Sequence, residues 1–293
     1  MTEHLEIGGI IIRLEVSRPL TLPLSEAYQP FLTDHPSAPA AGSLRILPAT
    51  DSTVSSPSAD ARLVASGFND LGESRLFFDG HRYTVGISPC PGEVMRYMHF
   101  SPSFREATLY LAPADRWNSF IIDSMSRIFF SQIAILESSF LIHASAVVTS
   151  AGSHLFMGRS GTGKSTHSAL WNATFPDSSL LNDDNPLVRL NASGSPSVHG
   201  TPWSGKTKCW INRHAPLISM TRLRQAPSNR YSPLADVSAF VAVLPGVSVI
   251  SHSAPLYAKA CTTLGAVISG VRIGELECLP DTGAAILCRR HVE

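Results

Sequence analysis

The stretch Gly158-Arg159-Ser160-Gly161-Thr162-Gly163-Lys164-Ser165 fills the pattern GxxxxGK[ST]. Each residue type answers a need of phosphate binding. Glycines let the backbone turn so that its N–H groups face one point, a lysine adds a point charge for β- and γ-phosphates, and a serine hydroxyl suits Mg²⁺. The expected phosphate contacts are therefore Gly158, Ser160, Gly161, Thr162, Gly163, Lys164, Ser165 and Thr166, with Ser165 also on the metal. The pattern implies ATP and Mg²⁺ as cofactors, although loops of this kind read phosphates rather than bases.

Chemistry at a γ-phosphoryl group also needs a carboxylate, and Leu180-Leu181-Asn182-Asp183-Asp184-Asn185 supplies two after an apolar pair. On a strand, adjacent side chains point to opposite faces, so one carboxylate can reach the metal while the other faces an acceptor hydroxyl. The same composition also suits an Asx-rich turn. Farther along, Gly200 to Lys208 has the make-up of a mobile loop that closes on an anion, with Lys206 meeting the transferring phosphoryl group. A surface hairpin with Trp203 packed on the core fits that stretch equally. Arg213, Arg222 and Arg224 are further candidates for neutralising phosphate or substrate charge.

These residues need elements to position them. Ser153 to Met157 reads as the buried strand that feeds the glycine-rich loop, and Thr166 to Trp171 as the helix that follows it. Phe140 to Val148 reads as a preceding strand, with a turn at Ala151-Gly152, and Leu180-Leu181 as a later one. Helices are expected at 234–244, at 257–271 and after Asp281, and a strand at 275–279. Before Leu111 the runs Ile10 to Val16, Leu44 to Leu47, Arg75 to Phe78 and Thr108 to Leu111 suggest a β meander, with surface loops at 36–42 and 52–61. After Asp115 the periodicity changes to that of a helix, with Phe120, Ile121, Met125, Ile128, Phe129, Ile133 and Leu136 on one broad face. The expected organisation is an α/β chain: a β-rich domain over 1–112, suited to substrate or partner recognition, then a nucleotide-binding catalytic domain over 113–293.

Composition narrows the setting. The 293 residues are 44% hydrophobic and 16% charged, enough to bury a sizeable core. Twenty-three basic residues balance 23 acidic ones, so no global field attracts nucleic acid. Cys90, Cys209, Cys261, Cys278 and Cys288 are odd in number and never spaced as CxxC, which fits reduced thiols in a cytoplasm. The N-terminus carries acids where a signal peptide carries bases. Asp123, Arg127 and Gln132 interrupt the longest apolar stretch, which therefore reads as a core helix and not a membrane span.

Taken in order, Ile142-His143-Ala144, then Gly158 to Ser165, then Asn182-Asp183-Asp184 resembles the catalytic domain of HPr kinase/phosphorylase and, more distantly, ATP-dependent phosphoenolpyruvate carboxykinase. Those kinases carry a His on the strand before the loop strand, a GxSGxGKS loop, and an Asp pair after a small residue. The resemblance implies their P-loop fold, a catalytic set of Asp183, His143 and Lys164, and metal contacts from Ser165 and Asp184. In it Asp183 is the general base toward an acceptor serine, Asp184 assists Mg²⁺, and His143 orients the carboxylates. Thr166 stands where the HPr enzymes commonly have Glu, their glycine-rich signature loop is replaced by Gly200 to Lys208, and the N-terminal half does not resemble theirs. Those departures point away from HPr itself and toward the HPr kinase-related proteins, some of which phosphorylate a peptide serine.

The expected activity is a kinase that moves the γ-phosphoryl group of Mg-ATP to a hydroxyl of a peptide, protein or small metabolite. The alternatives are an ATP-dependent switch protein with ATPase activity and, less well matched because those enzymes are much longer, a carboxykinase. Because HPr kinases form hexamers, the resemblance also admits a homo-oligomer.

Overall fold

The computed structural model describes residues 1–20, 24–49, 56–69, 71–205 and 207–293. The chain is mixed α/β, with two sheets and five α-helices among the described residues. It divides into two compact units, Met1–Ile133 and Ala134–Glu293.

The first unit carries β1 (Thr2–Ile7), β2 (Ile10–Val16), β3 (Gly42–Pro48), β4 (Arg62–Asn69), β5 (Gly72–Phe78), β6 (Tyr83–Ser88), β7 (Arg96–Phe100) and β8 (Glu106–Leu111) in one sheet of order β1-β2-β3-β8-β7-β6-β5-β4. From β4 to β8 the chain is the expected meander, each strand antiparallel to the next. The first three strands depart from it, because β3 runs parallel to both β2 and β8. Their alternation shows which side faces inward: in Ile10–Val16 only Arg13 is exposed.

Helix α1 (Asn118–Leu136) follows, and Tyr28 reaches it by hydrogen bonds to Asp123 at 3.0 Å and Ser126 at 2.6 Å. Phe129 packs on Phe100 with ring centroids 6.3 Å apart. The boundary between the compact units therefore falls inside this helix, whereas the change of periodicity placed it ahead of the helix at 112/113. Asn118–Leu136 is long and apolar enough by composition to cross a membrane, and 67% of its apolar window is buried inside the protein.

The second unit holds β9 (Ser139–Leu141), β10 (Ala144–Thr149), β11 (Gly152–Met157), α2 (Lys164–Thr174), β12 (Ser179–Asn182), β13 (Leu187–Leu190), β14 (Pro196–His199), β15 (His214–Gln225), β16 (Arg230–Leu234), α3 (Asp236–Val243), α4 (Ala254–Ile268), β17 (Arg272–Cys278) and α5 (Thr282–Val292). Its sheet runs β12-β10-β11-β15-β14-β13-β9, with β17 joined to β15 and β16 to β17. β15 pairs β11 and β17 in parallel and β14 antiparallel, so one strand serves both halves of the sheet.

Under that sheet Val147, Phe156, Trp171, Leu223, Leu276 and Cys288 form one buried cluster. α2 turns His167 and Ser168, and one turn later Trp171, to its inner face, and ends where Phe175 precedes Pro176. α5 begins at Asp281, whose side chain accepts the Ala284 N–H at 2.8 Å, and ends with Arg289, Arg290 and His291 against its negative pole.

Candidate active site

β11 runs out at Met157, and the chain crosses Gly158 to Gly163 before α2 starts at Lys164. The crossing depends on its glycines. Gly158 has φ 154°, and a Cβ there would stand 2.5 Å from Thr162 Oγ1, which itself donates to the Arg159 carbonyl at 2.6 Å. Gly163 has φ 101° and is the N-cap of α2, so no side chain caps the helix and its first N–H groups are left for a ligand. Ser160, Gly161, Ser165 and Thr166 are exposed along this rim, and Gln225 at the end of β15 donates to the Gly161 carbonyl at 3.2 Å.

Lys164 is only 9% exposed and folds back over the loop, donating to the carbonyls of Gly158 at 3.1 Å and Arg159 at 3.4 Å. Its ammonium also meets His143 Nε2 at 2.9 Å. An ammonium has protons to give and no lone pair, so Nε2 accepts and the imidazole carries its own proton on Nδ1. That Nδ1 lies 3.0 Å from Asp184 Oδ1 and donates to it, giving one chain from Lys164 through His143 to Asp184. Burial pushes the Lys164 pKa down, and the nearby charges of Asp184 and Asp183 oppose that shift.

His143 does not lie within a continuous strand. The expected run 140–148 is broken between β9 and β10, where the Ile142 N–H turns to the Pro186 carbonyl, that of His143 to Gly246 and that of Ala144 to Asp184. The break frees the imidazole from the strict alternation of a strand, so it can reach both the lysine and the carboxylate.

Both carboxylates follow β12 in a bend instead of on the strand. Asn182 makes that bend: its Oδ1 accepts the N–H groups of Asp184 at 3.0 Å and Asn185 at 2.9 Å, and its amide reaches the Thr201 and Trp203 carbonyls, each at 3.3 Å. The Asx turn and the carboxylate site are thus one feature, and the turn sends the two acids apart. Asp184 goes to His143 and also accepts from Asn185 Nδ2 at 2.5 Å. Asp183, 4% exposed, accepts from Ser145 Oγ at 2.8 Å on Oδ1, while its buried Oδ2 has no hydrogen-bond partner among the described residues. A buried carboxylate oxygen in that state is costly unless a ligand meets it.

Over the pair lies the segment after β14. Trp203 is buried, packed inward as the hairpin reading required, and a Cβ on Gly205 would stand 3.1 Å from the Asp183 carbonyl. Lys206 lies outside the described residues. Arg213 is exposed and its carbonyl accepts the Gly200 N–H at 3.0 Å.

Beside the loop opens a cleft of about 880 Å³ whose lining includes His143, Arg159, Thr162, Arg222, Arg224 and Gly246. Arg213 is not among its lining residues. Arg222 and Arg224 stand on β15, not in a loop, and share Glu275 of β17 at 2.8 and 3.1 Å. Sequence reasoning missed Ser145, Ser168 and Glu275, since a serine in an apolar strand and a lone glutamate carry no motif.

No family model and no curated protein matches the chain. Among solved structures it is similar to one described as "Structure of the Hpr(Ser) kinase/phosphatase from Coxiella burnetii", at 12% identity and a TM-score of 0.31, over 52% of this chain and 95% of that one. A likeness of this size leaves the function to be read from the site.

Proposed function

We propose that the second unit binds Mg-ATP and moves its γ-phosphoryl group to a hydroxyl of a peptide, protein or small metabolite. One observation carries this reading: the lysine that opens α2 is linked through His143 to Asp184, beside a second carboxylate with a buried oxygen that lacks a partner. Phosphate binding alone would need the loop and the lysine but not that pair.

The residues suit each part. The N–H groups of the 158–165 loop and the Lys164 ammonium would hold the phosphates, and the exposed Ser165 hydroxyl with the carboxylates suits a divalent cation. Mg²⁺ supplies charge neutralisation on the phosphates. Asp183 offers Oδ2 as the acceptor for the hydroxyl proton, since its Oδ1 already takes the Ser145 proton. His143 keeps Asp184 and Lys164 in place, and when phosphate draws the ammonium away the imidazole still holds the carboxylate. The cleft walled by Arg222 and Arg224 gives room for the rest of the nucleotide.

The test follows γ-labelled ATP with Mg²⁺ and fractionated peptides or metabolites, using the native protein and its Asp183→Asn variant. Label in one fraction, dependent on Asp183, supports a kinase. Label found only as free phosphate favours an ATP-hydrolysing switch, and no nucleotide binding at all refutes the reading.

A further inference from the structure

Asp183 is oriented by a chain of two hydroxyls. Ser145, on β10, spends its single hydroxyl proton on Asp183 Oδ1 at 2.8 Å, so in its 2.6 Å contact with Ser168 Oγ the donor must be Ser168. All three groups are buried: Ser145 is 0%, Ser168 1% and Asp183 4% exposed. Ser168 lies one turn beyond Lys164 on the inner face of α2. A serine inside a helix commonly returns its proton to the carbonyl four residues back, but this one gives it across to the sheet.

We propose that Ser168 and Ser145 are positioning residues that set Asp183 for phosphoryl chemistry, an inference that rests on the reading of the site given above. A carboxylate's last torsion is nearly two-fold, so without a donor either oxygen could face the reacting groups. The Ser145 proton removes that degeneracy. It fixes Oδ1 against β10 and leaves Oδ2, buried and without a partner among the described residues, as the open acceptor. The Ser168 link adds a second constraint. Lys164, which would hold the phosphates, and Asp183, which would meet the acceptor, are referred to the same helix turn, so the spacing between them does not depend on the bend after β12 alone.

The closing experiment measures phosphate release from Mg-ATP, Mg-ATP affinity by calorimetry and thermal midpoint for the full chain and for Ser145→Ala, Ser168→Ala and the double variant. Ser145→Ala is expected to slow release about tenfold or more, the size of a lost hydrogen bond to a charged group, with affinity changed less than about twofold. Ser168→Ala should act in the same direction but less, and the double variant should be no slower than Ser145→Ala alone, because Ser168 works only through Ser145. Wild-type release from a folded, ATP-binding Ser145→Ala protein overturns the positioning role alone. So does a loss of release that merely tracks the fall in thermal midpoint and affinity, or additive effects in the double variant. A native chain that neither binds nor cleaves Mg-ATP overturns the reading of the site and this inference together.

Discussion

The His143 imidazole lies between Lys164 Nζ, 2.9 Å from its Nε2, and Asp184 Oδ1, 3.0 Å from its Nδ1, so a neutral ring separates the site's cation from its carboxylate. A direct lysine–carboxylate pair would hold the ammonium more tightly than a neutral acceptor does. Through histidine, the ammonium stays available to an incoming anion.

Lys164→Ala should therefore lower Mg-ATP affinity by about tenfold or more, while His143→Ala should lower turnover more than affinity, as removal of a hydrogen bond to the carboxylate implies. Calorimetry beside a phosphate-release assay separates the two. Equal loss of affinity in both variants would show that the imidazole binds phosphate itself.

Asp183→Asn keeps the size and the Ser145 contact but removes the charge from the open oxygen. Turnover should fall by about a hundredfold or more, within the range of general base catalysis, with Mg-ATP affinity within a few-fold of native. A variant that still turns over at the native rate would move the base to another group.

Gly158→Ala places a methyl group 2.5 Å from Thr162 Oγ1 at a backbone angle that side chains rarely adopt. The expected cost is about 1–3 kcal/mol, a drop in thermal midpoint of a few degrees, together with weakened nucleotide binding. Differential scanning calorimetry with and without Mg-ATP reads both. An unchanged midpoint would mean that the loop relaxes freely.

His167 packs edge-on to Phe156 and accepts the Trp171 indole N–H at 3.0 Å through Nε2. Burial holds its pKa down to about 4, against about 6.5 in an unfolded chain. Above pH 6.5 both states are neutral there. Between about 6.5 and 4 the unfolded chain takes a proton that the folded one refuses, so stability falls as the pH falls, by up to about 3 kcal/mol from this residue. Burial lowers His199 to about 4 as well, and lowers His154, with the same sign. Urea unfolding at pH 7.5 and 4.5 should show the loss, and His167→Gln, which keeps an acceptor for Trp171, should show less of it.

What the sequence disclosed is the part governed by local rules. The glycines and Lys164 are spaced by the needs of a loop between strand and helix, and β11 and α2 lie where that spacing puts them. Asp281 likewise marks the start of α5 by its own side chain. The break at Ile142-His143 was hidden, because 140–148 reads as one apolar run and only pairing with β13 on one side and β11 and β12 on the other divides it. β13, β14 and β16 are too short to show a period, and they are strands because β9, β15 and β17 offer them edges. Ser145 and Ser168 are 23 residues apart in the chain, and nothing short of the fold joins them.

β15 has a consequence for how the chain acquires its site. Met157, the last strand residue before the loop, pairs with Arg222, and Phe156 with Thr221, both supplied from far downstream. A chain emerging from a ribosome would present the glycine-rich loop, Lys164 and both acids well before β15, the parallel neighbour of β11, exists. Parallel pairing over so long a separation has a high loop-closure cost and forms late. The loop would gain its shape only once β15 has docked, so the ability to capture nucleotide would arise near the end of synthesis.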